Sequence, residues 1–70
     1  MKVAKLLAAA RRKRGVTQAQ VAEELEVSQF SISAYESGYR VPGPRRWSRV
    51  SKVYGVDLAV LAKAAMSEAA

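Results

Sequence analysis

Gln29 and Ser33 stand four positions apart, a spacing that puts both on one face of a helix, with Phe30 and Ala34 beside them. Side chains of these types suit recognition rather than bond breaking. Gln can bond an adenine edge in bidentate fashion, Ser can bond either kind of edge, and Phe or Ala can pack on thymine methyl groups in a DNA major groove. The plainer alternative for Phe30 is a satellite core contact beneath a loop that folds over the helix end. Catalysis has a thinner basis. The chain holds no Cys and no His, which removes disulfides, the usual zinc sites and Cys/His nucleophile systems. No acid, base and nucleophile converge among the remaining residue types, so the reading expects no enzyme activity, no metal and no cofactor.

The charges surround that uncharged segment. Twelve Lys/Arg against six Asp/Glu leave +6 over 70 residues. Residues 1–14 hold six bases and no acid, and residues 40–52 hold five bases and no acid. Between them, Gln18 to Glu36 carries four acids and no base. Two basic flanks around a polar centre fit a surface that clamps phosphates on either side of a reading element, although a basic face is often only a solvated one. The start, MKVAKLLAAARRKRG, has a charged front and an apolar run like a signal peptide, but the run is short and ends in four bases, which opposes export. No segment is long enough to span a bilayer, so a cytoplasmic protein with no membrane partner is expected.

Five helices must position these side chains. The first, about 2–14, sets Val3, Leu6, Leu7 and Ala10 at helical spacing and stops at Gly15. Arg11 to Arg14 fill its last turn, where cations oppose the negative end of the helix dipole. Thr17 is placed to cap a second helix, about 18–25, with Val21, Ala22 and Leu25 inward. Ser28 caps a third, about 29–36, which buries Ile32 and Tyr35, leaves Gln29, Phe30, Ser33 and Ala34 outward, and ends at Ser37 and Gly38. The prolines and glycine of YRVPGP predict an extended loop. Gly43 and Pro44 open a fourth helix, about 44–54, with Trp47, Val50, Val53 and Tyr54 inward and Gly55 as its close. Trp47 and Tyr54 suggest base stacking, but their spacing of seven favours core packing. Asp57 caps a fifth helix, about 58–66, with Leu58, Leu61 and Ala65 toward the core. The terminal SEAA is expected to fray. Helices two and three are too short to survive alone, so packing must hold them. Two short helices joined by a tight turn also need a small residue where their backbones approach, and Ala22 supplies it.

Residues 4–66 resemble the helix-turn-helix family of phage Cro and repressor proteins, the Cro/C1 or XRE type. The resemblance is carried by GVTQAQVAEELEVSQFSISAYESGYRVP and by WSRVSKVYGVDLAVLA. Within them, Thr17, Gln18, Ala22, Leu25, Val27, Ser28, Ile32, Glu36, Ser37 and Gly38 match the family pattern. It implies an all-α, five-helix lambda-repressor-like domain over residues 1–70, with Gln29, Phe30 and Ser33 entering the major groove. By the same resemblance Gln18 donates to a phosphate and braces Gln29, while Ser28, Tyr39, Arg40, Arg45 and Arg46 contact the DNA backbone. Arg11 and Glu36 are implied to form a buried structural ion pair. Two departures stand out. Glu26 occupies the turn position where the family usually has Gly, so it either adopts a left-handed conformation or the turn differs. Pro42, Gly43 and Pro44 can shift Arg45 and Arg46 relative to the DNA strand.

What the resemblance implies for function is a transcriptional regulator, a repressor that binds a palindromic operator in double-stranded DNA as a homodimer. The fifth helix and the turn around Gly55 are the implied interface. No separate sensor domain fits in this length, and no small-molecule effector is evident. An antitoxin or a protein-bridging module can use the same fold. Such a protein usually carries an added partner-binding segment, and none is expected beyond Ala70.

Overall fold

Short helices need their end groups satisfied locally, and this chain supplies caps at each junction. The computed structural model describes residues 2–69. They form five helices: α1 (Lys2–Arg14), α2 (Gln18–Leu25), α3 (Gln29–Ser37), α4 (Pro44–Tyr54) and α5 (Leu58–Ala69). Gly15, Gly38 and Gly55 all take the left-handed conformation that ends a helix. Thr17 starts α2 with a reciprocal box. Its hydroxyl accepts from the Gln20 N–H at 3.1 Å, and its own N–H donates to Gln20 Oε1 at 2.8 Å. The Ser28 hydroxyl accepts from the Ser31 N–H at 3.2 Å to start α3. Asp57 Oδ1 accepts from the amides of Ala59 and Val60 at 2.8 and 3.1 Å to start α5.

The helices close over one apolar cluster. Val3 and Leu7 of α1, Val21, Ala22 and Leu25 of α2, Ile32 and Tyr35 of α3, Val50 and Tyr54 of α4, and Leu61 and Ala65 of α5 are buried together. Leu6, Ala10, Trp47 and Val53 pack against this cluster half-buried. Helix α1 packs on α3 and α5, α2 packs on α3 and α4, and α4 packs on α5. The short pair α2–α3 is therefore held by α1, which packs on α3, and by α4, which packs on α2, while α5 braces those two longer helices. The loop before α4 is equally fixed, because Pro42 is buried and its carbonyl accepts from the Trp47 indole N–H at 2.9 Å.

Three expectations are corrected. Leu58 is 46% exposed rather than inward, because it lies in the first turn of α5, at the helix end next to the Asp57 cap. Ala34 is only 4% exposed rather than outward. The chain reverses at Gly38, the Arg40 N–H donates to the Ala34 carbonyl at 3.2 Å, and the returning segment covers the methyl group. Helix α5 does not stop near residue 66 but continues to Ala69. Glu68 accepts from the Val3 N–H at 2.9 Å, which ties the end of α5 to one of the α1 amides that no intrahelical carbonyl can serve. Of the SEAA expected to fray, Ala70 lies outside the described residues.

Glu26 follows the first of its two alternatives. It sits at φ 60° and ψ 40°, the left-handed region, with its N–H donating to the carbonyls of Ala22 and Glu23. A side chain there costs about 1–2 kcal/mol. Its carboxylate pairs with Arg49 at 3.3 Å, but both groups are largely exposed, so the pair contributes little. Replacing Glu26 by Gly is therefore expected to stabilise the fold by about 1 kcal/mol, after allowance for the extra freedom of Gly in the unfolded chain. In a domain of this size that raises the thermal midpoint by roughly 4–8 °C. A lowered midpoint would show that the Arg49 pair outweighs the backbone strain.

Candidate nucleic-acid interface

The buried face of α3 fixes the direction of its other face. With Ile32 and Tyr35 in the core, Gln29 and Ser33 are exposed four residues apart, and Phe30 between them is 63% exposed. The side chains on that face carry no charge. Phe30, Ser33, Ala34 and Ser37 line an open groove whose far wall is Tyr39, itself 76% exposed. The Arg40 guanidinium lies over the Phe30 ring, 5.6 Å from its centroid. Ser28 is exposed at the start of α3, with its hydroxyl occupied by the Ser31 amide and 3.2 Å from the Ser31 hydroxyl.

Arg45 and Arg46 are exposed in the first turn of α4. No side chain caps that turn, since Gly43 has none to offer and Pro44 carries no N–H. Among the described residues no carboxylate pairs with Arg40, Arg45 or Arg46. Other bases are engaged within the fold: Arg49 meets Glu26, and Arg14 meets Glu24 at 3.6 Å and donates to the Val53 carbonyl. Arg40, Arg45 and Arg46 thus place exposed positive charge, unpaired among the described residues, on the loop after α3 and at the start of α4.

Behind this surface lies a polar centre that fixes the angle of α3. Arg11 Nε donates to both oxygens of Glu36, at 3.0 and 2.9 Å, and its Nη1 donates to the Val16 carbonyl at 3.0 Å. The Tyr54 hydroxyl donates to Oε2 of the same carboxylate at 2.8 Å, and the Gln18 amide donates to Oε1 at 3.3 Å. Four helices thus meet at one side chain. The Glu36 side chain is 4% exposed and that of Arg11 15%. Burial pushes the Glu36 carboxyl up, but the hydrogen bonds from Arg11, Tyr54 and Gln18 together outweigh it and hold the group below the ordinary carboxylate value. The hydrogen bond to Glu36 raises Arg11. Burial, then the bond to Glu36, pushes the Tyr54 hydroxyl up, so it remains a donor at any working pH.

The structure brings Arg11 to Glu36, and Phe30, Ser33 and Tyr39 to one groove. It does not bring Gln18 to Gln29, since the Gln18 amide is turned to Glu36. Contacts that local spacing does not disclose include Tyr54 with Glu36, Arg40 with Phe30, and Glu26 with Arg49. The first had a usable signal, because an inward Tyr needs a partner for its hydroxyl and Glu36 is an acid on a helix that also turns Tyr35 inward.

Among the described residues no helix is long and apolar enough to cross a membrane. A protein-family model described as helix-turn-helix matches residues 7–61. No curated protein and no solved structure gives a significant match.

Proposed function

Because the chain belongs to the helix-turn-helix family of Cro/C1 (XRE) type, a family of DNA-binding regulators, we propose that it is a sequence-specific repressor that binds a palindromic operator as a homodimer. The observation that carries this reading is the exposed, uncharged face of α3, Gln29 with Phe30 and Ser33, flanked by arginines that no carboxylate among the described residues neutralises. In this reading residues 1–70 act as one DNA-binding domain in the cytoplasm, without a small-molecule effector. Gln29, Phe30 and Ser33 read base edges, while Tyr39, Arg45 and Arg46 grip phosphates and fix the register. Ser28 meets the backbone at the start of α3. Gln18 reaches a phosphate by turning away from Glu36, a change that leaves the carboxylate with its two shorter partners.

A domain of this size reads only a few base pairs, so two half-sites about one helical turn apart supply both affinity and selectivity. Exposed apolar side chains on α5, Leu58, Val60 and Met66, support that helix as the element through which two copies meet. Selection of bound fragments from random duplex DNA, followed by sizing of the complex, tests the whole reading. An inverted repeat bound by two chains is expected. A lone half-site bound by one chain would remove the dimer, and no preference among duplexes would remove the regulator. Against the selected site, Gln29→Ala is expected to cost about 1–3 kcal/mol and to relax preference at one position. An equal loss on operator and random DNA would take away its base-reading role.

A further inference from the structure

Phe30 is the largest apolar side chain on the reading face, and its surroundings are more specific than exposure alone. The Arg40 backbone is anchored by its N–H to the Ala34 carbonyl directly after the left-handed Gly38. That anchor sets the guanidinium over the Phe30 ring at 5.6 Å, within the range of a cation–π contact. Among the described residues no carboxylate competes for it. A guanidinium laid against a ring still has its donors free in its own plane, as a rigid fork. Guanine offers the matching pair of acceptors, O6 and N7, in the major groove. Beside the fork, the exposed edge of the Phe30 ring forms an apolar corner of the groove that Ser33, Ser37 and Tyr39 also line. A corner of that kind takes the C5-methyl of thymine, the only apolar group on a major-groove edge.

We propose that Phe30 and Arg40 act as one unit that reads a thymine and a guanine on neighbouring base pairs, with Arg40 bonding guanine rather than a phosphate. This rests on the operator-binding reading and adds a base-reading residue outside α3. The contact with the ring restricts the fork before DNA arrives, so less freedom is lost on binding than for an unsupported arginine. A lysine keeps the charge but has no fork, and that difference separates base reading from phosphate gripping.

The test uses the full chain and the site selected by the wild type. Affinities are measured on that site, on the site with the guanine pair replaced, and on the site with thymine replaced by deoxyuridine, which deletes only the methyl. Arg40→Lys is expected to lose roughly ten- to a hundredfold on the selected site and almost nothing on the guanine-replaced one. Deoxyuridine is expected to weaken the wild type by roughly fourfold, the worth of one buried methyl, and to leave Phe30→Ala unaffected. Both side chains are exposed, and thermal melting of each variant checks that the fold is intact. If Arg40→Lys binds every sequence as the wild type does, or Arg40→Ala weakens all sequences alike, the proposal is overturned while the selected motif still supports operator binding. If the wild type selects no motif, both readings fail together.

Discussion

Replacing Arg11 by Ala is expected to cost about 3 kcal/mol of folding stability, because it leaves the carboxylate of Glu36 buried without its cation. A chain of this length has roughly 4–10 kcal/mol in total, so the variant loses about a third or more of its stability. The loss should be unequal between the partners. After Glu36→Gln, the Arg11 charge keeps its bond to the Val16 carbonyl and some access to water, and the new amide oxygen can still accept from Tyr54. After Arg11→Ala, only Tyr54 and Gln18 remain to satisfy a full negative charge. Urea unfolding of the two variants measures the difference, and equal small losses would mean that the pair behaves as an exposed surface bridge.

The pH dependence gives an independent sign. In the wild type the folded-state pKa of Glu36 lies below the unfolded value, so its contribution is fully present above about pH 4.5. It is lost as pH falls from there through the depressed folded value. In Arg11→Ala the bond and charge of Arg11 no longer oppose burial, and the folded-state pKa is expected to rise above the unfolded one. The folded variant then binds the extra proton, and lowering the pH relieves it. The stability gap between wild type and Arg11→Ala should therefore narrow between pH 7 and pH 4. A gap that stays constant over that range would show that Glu36 is not the group left unpaired.

These effects arise at the level where sequence reading fades. Helix ends were legible because cap chemistry is local: Thr17, Ser28, Asp57, the Gly43 and Pro44 pair, and the closing glycines act within a few residues of themselves. The inward positions of α2 and the inward Ile32 and Tyr35 of α3 were legible for the same reason, since helical spacing alone selects a face. Ala34 was not, because its burial depends on a segment that turns back after Gly38 and bonds to it from six residues away. The length of α5 is not carried by local spacing, because Glu68 finds its partner at Val3, 65 residues distant. Tyr54 was placed inward, yet its bond to Glu36 depends on where two helices cross. The site divides in the same way. The exposed face of Gln29 and Ser33 follows from spacing, whereas the cation–π contact of Arg40 with Phe30 follows from tertiary placement of the loop.

The second large effect concerns salt. In the proposed complex Arg45 and Arg46 each neutralise one phosphate, which makes four contacts in a dimer. Each displaces condensed counterions, so the logarithm of the binding constant should fall against the logarithm of salt with a slope of at least roughly −3.6. Between 50 and 200 mM that is about a 150-fold loss of affinity. Arg45→Ala should then reduce the slope by about 1.8, twice the value for one contact, because both subunits lose it together. It should weaken operator and random DNA alike, since a phosphate contact carries no sequence information. Gln29→Ala should leave the slope unchanged while relaxing base preference. A reduction near 0.9 would indicate one subunit on the DNA. A slope for Arg45→Ala equal to that of the wild type would release Arg45 from the strand and leave the phosphate grip to other bases of the chain.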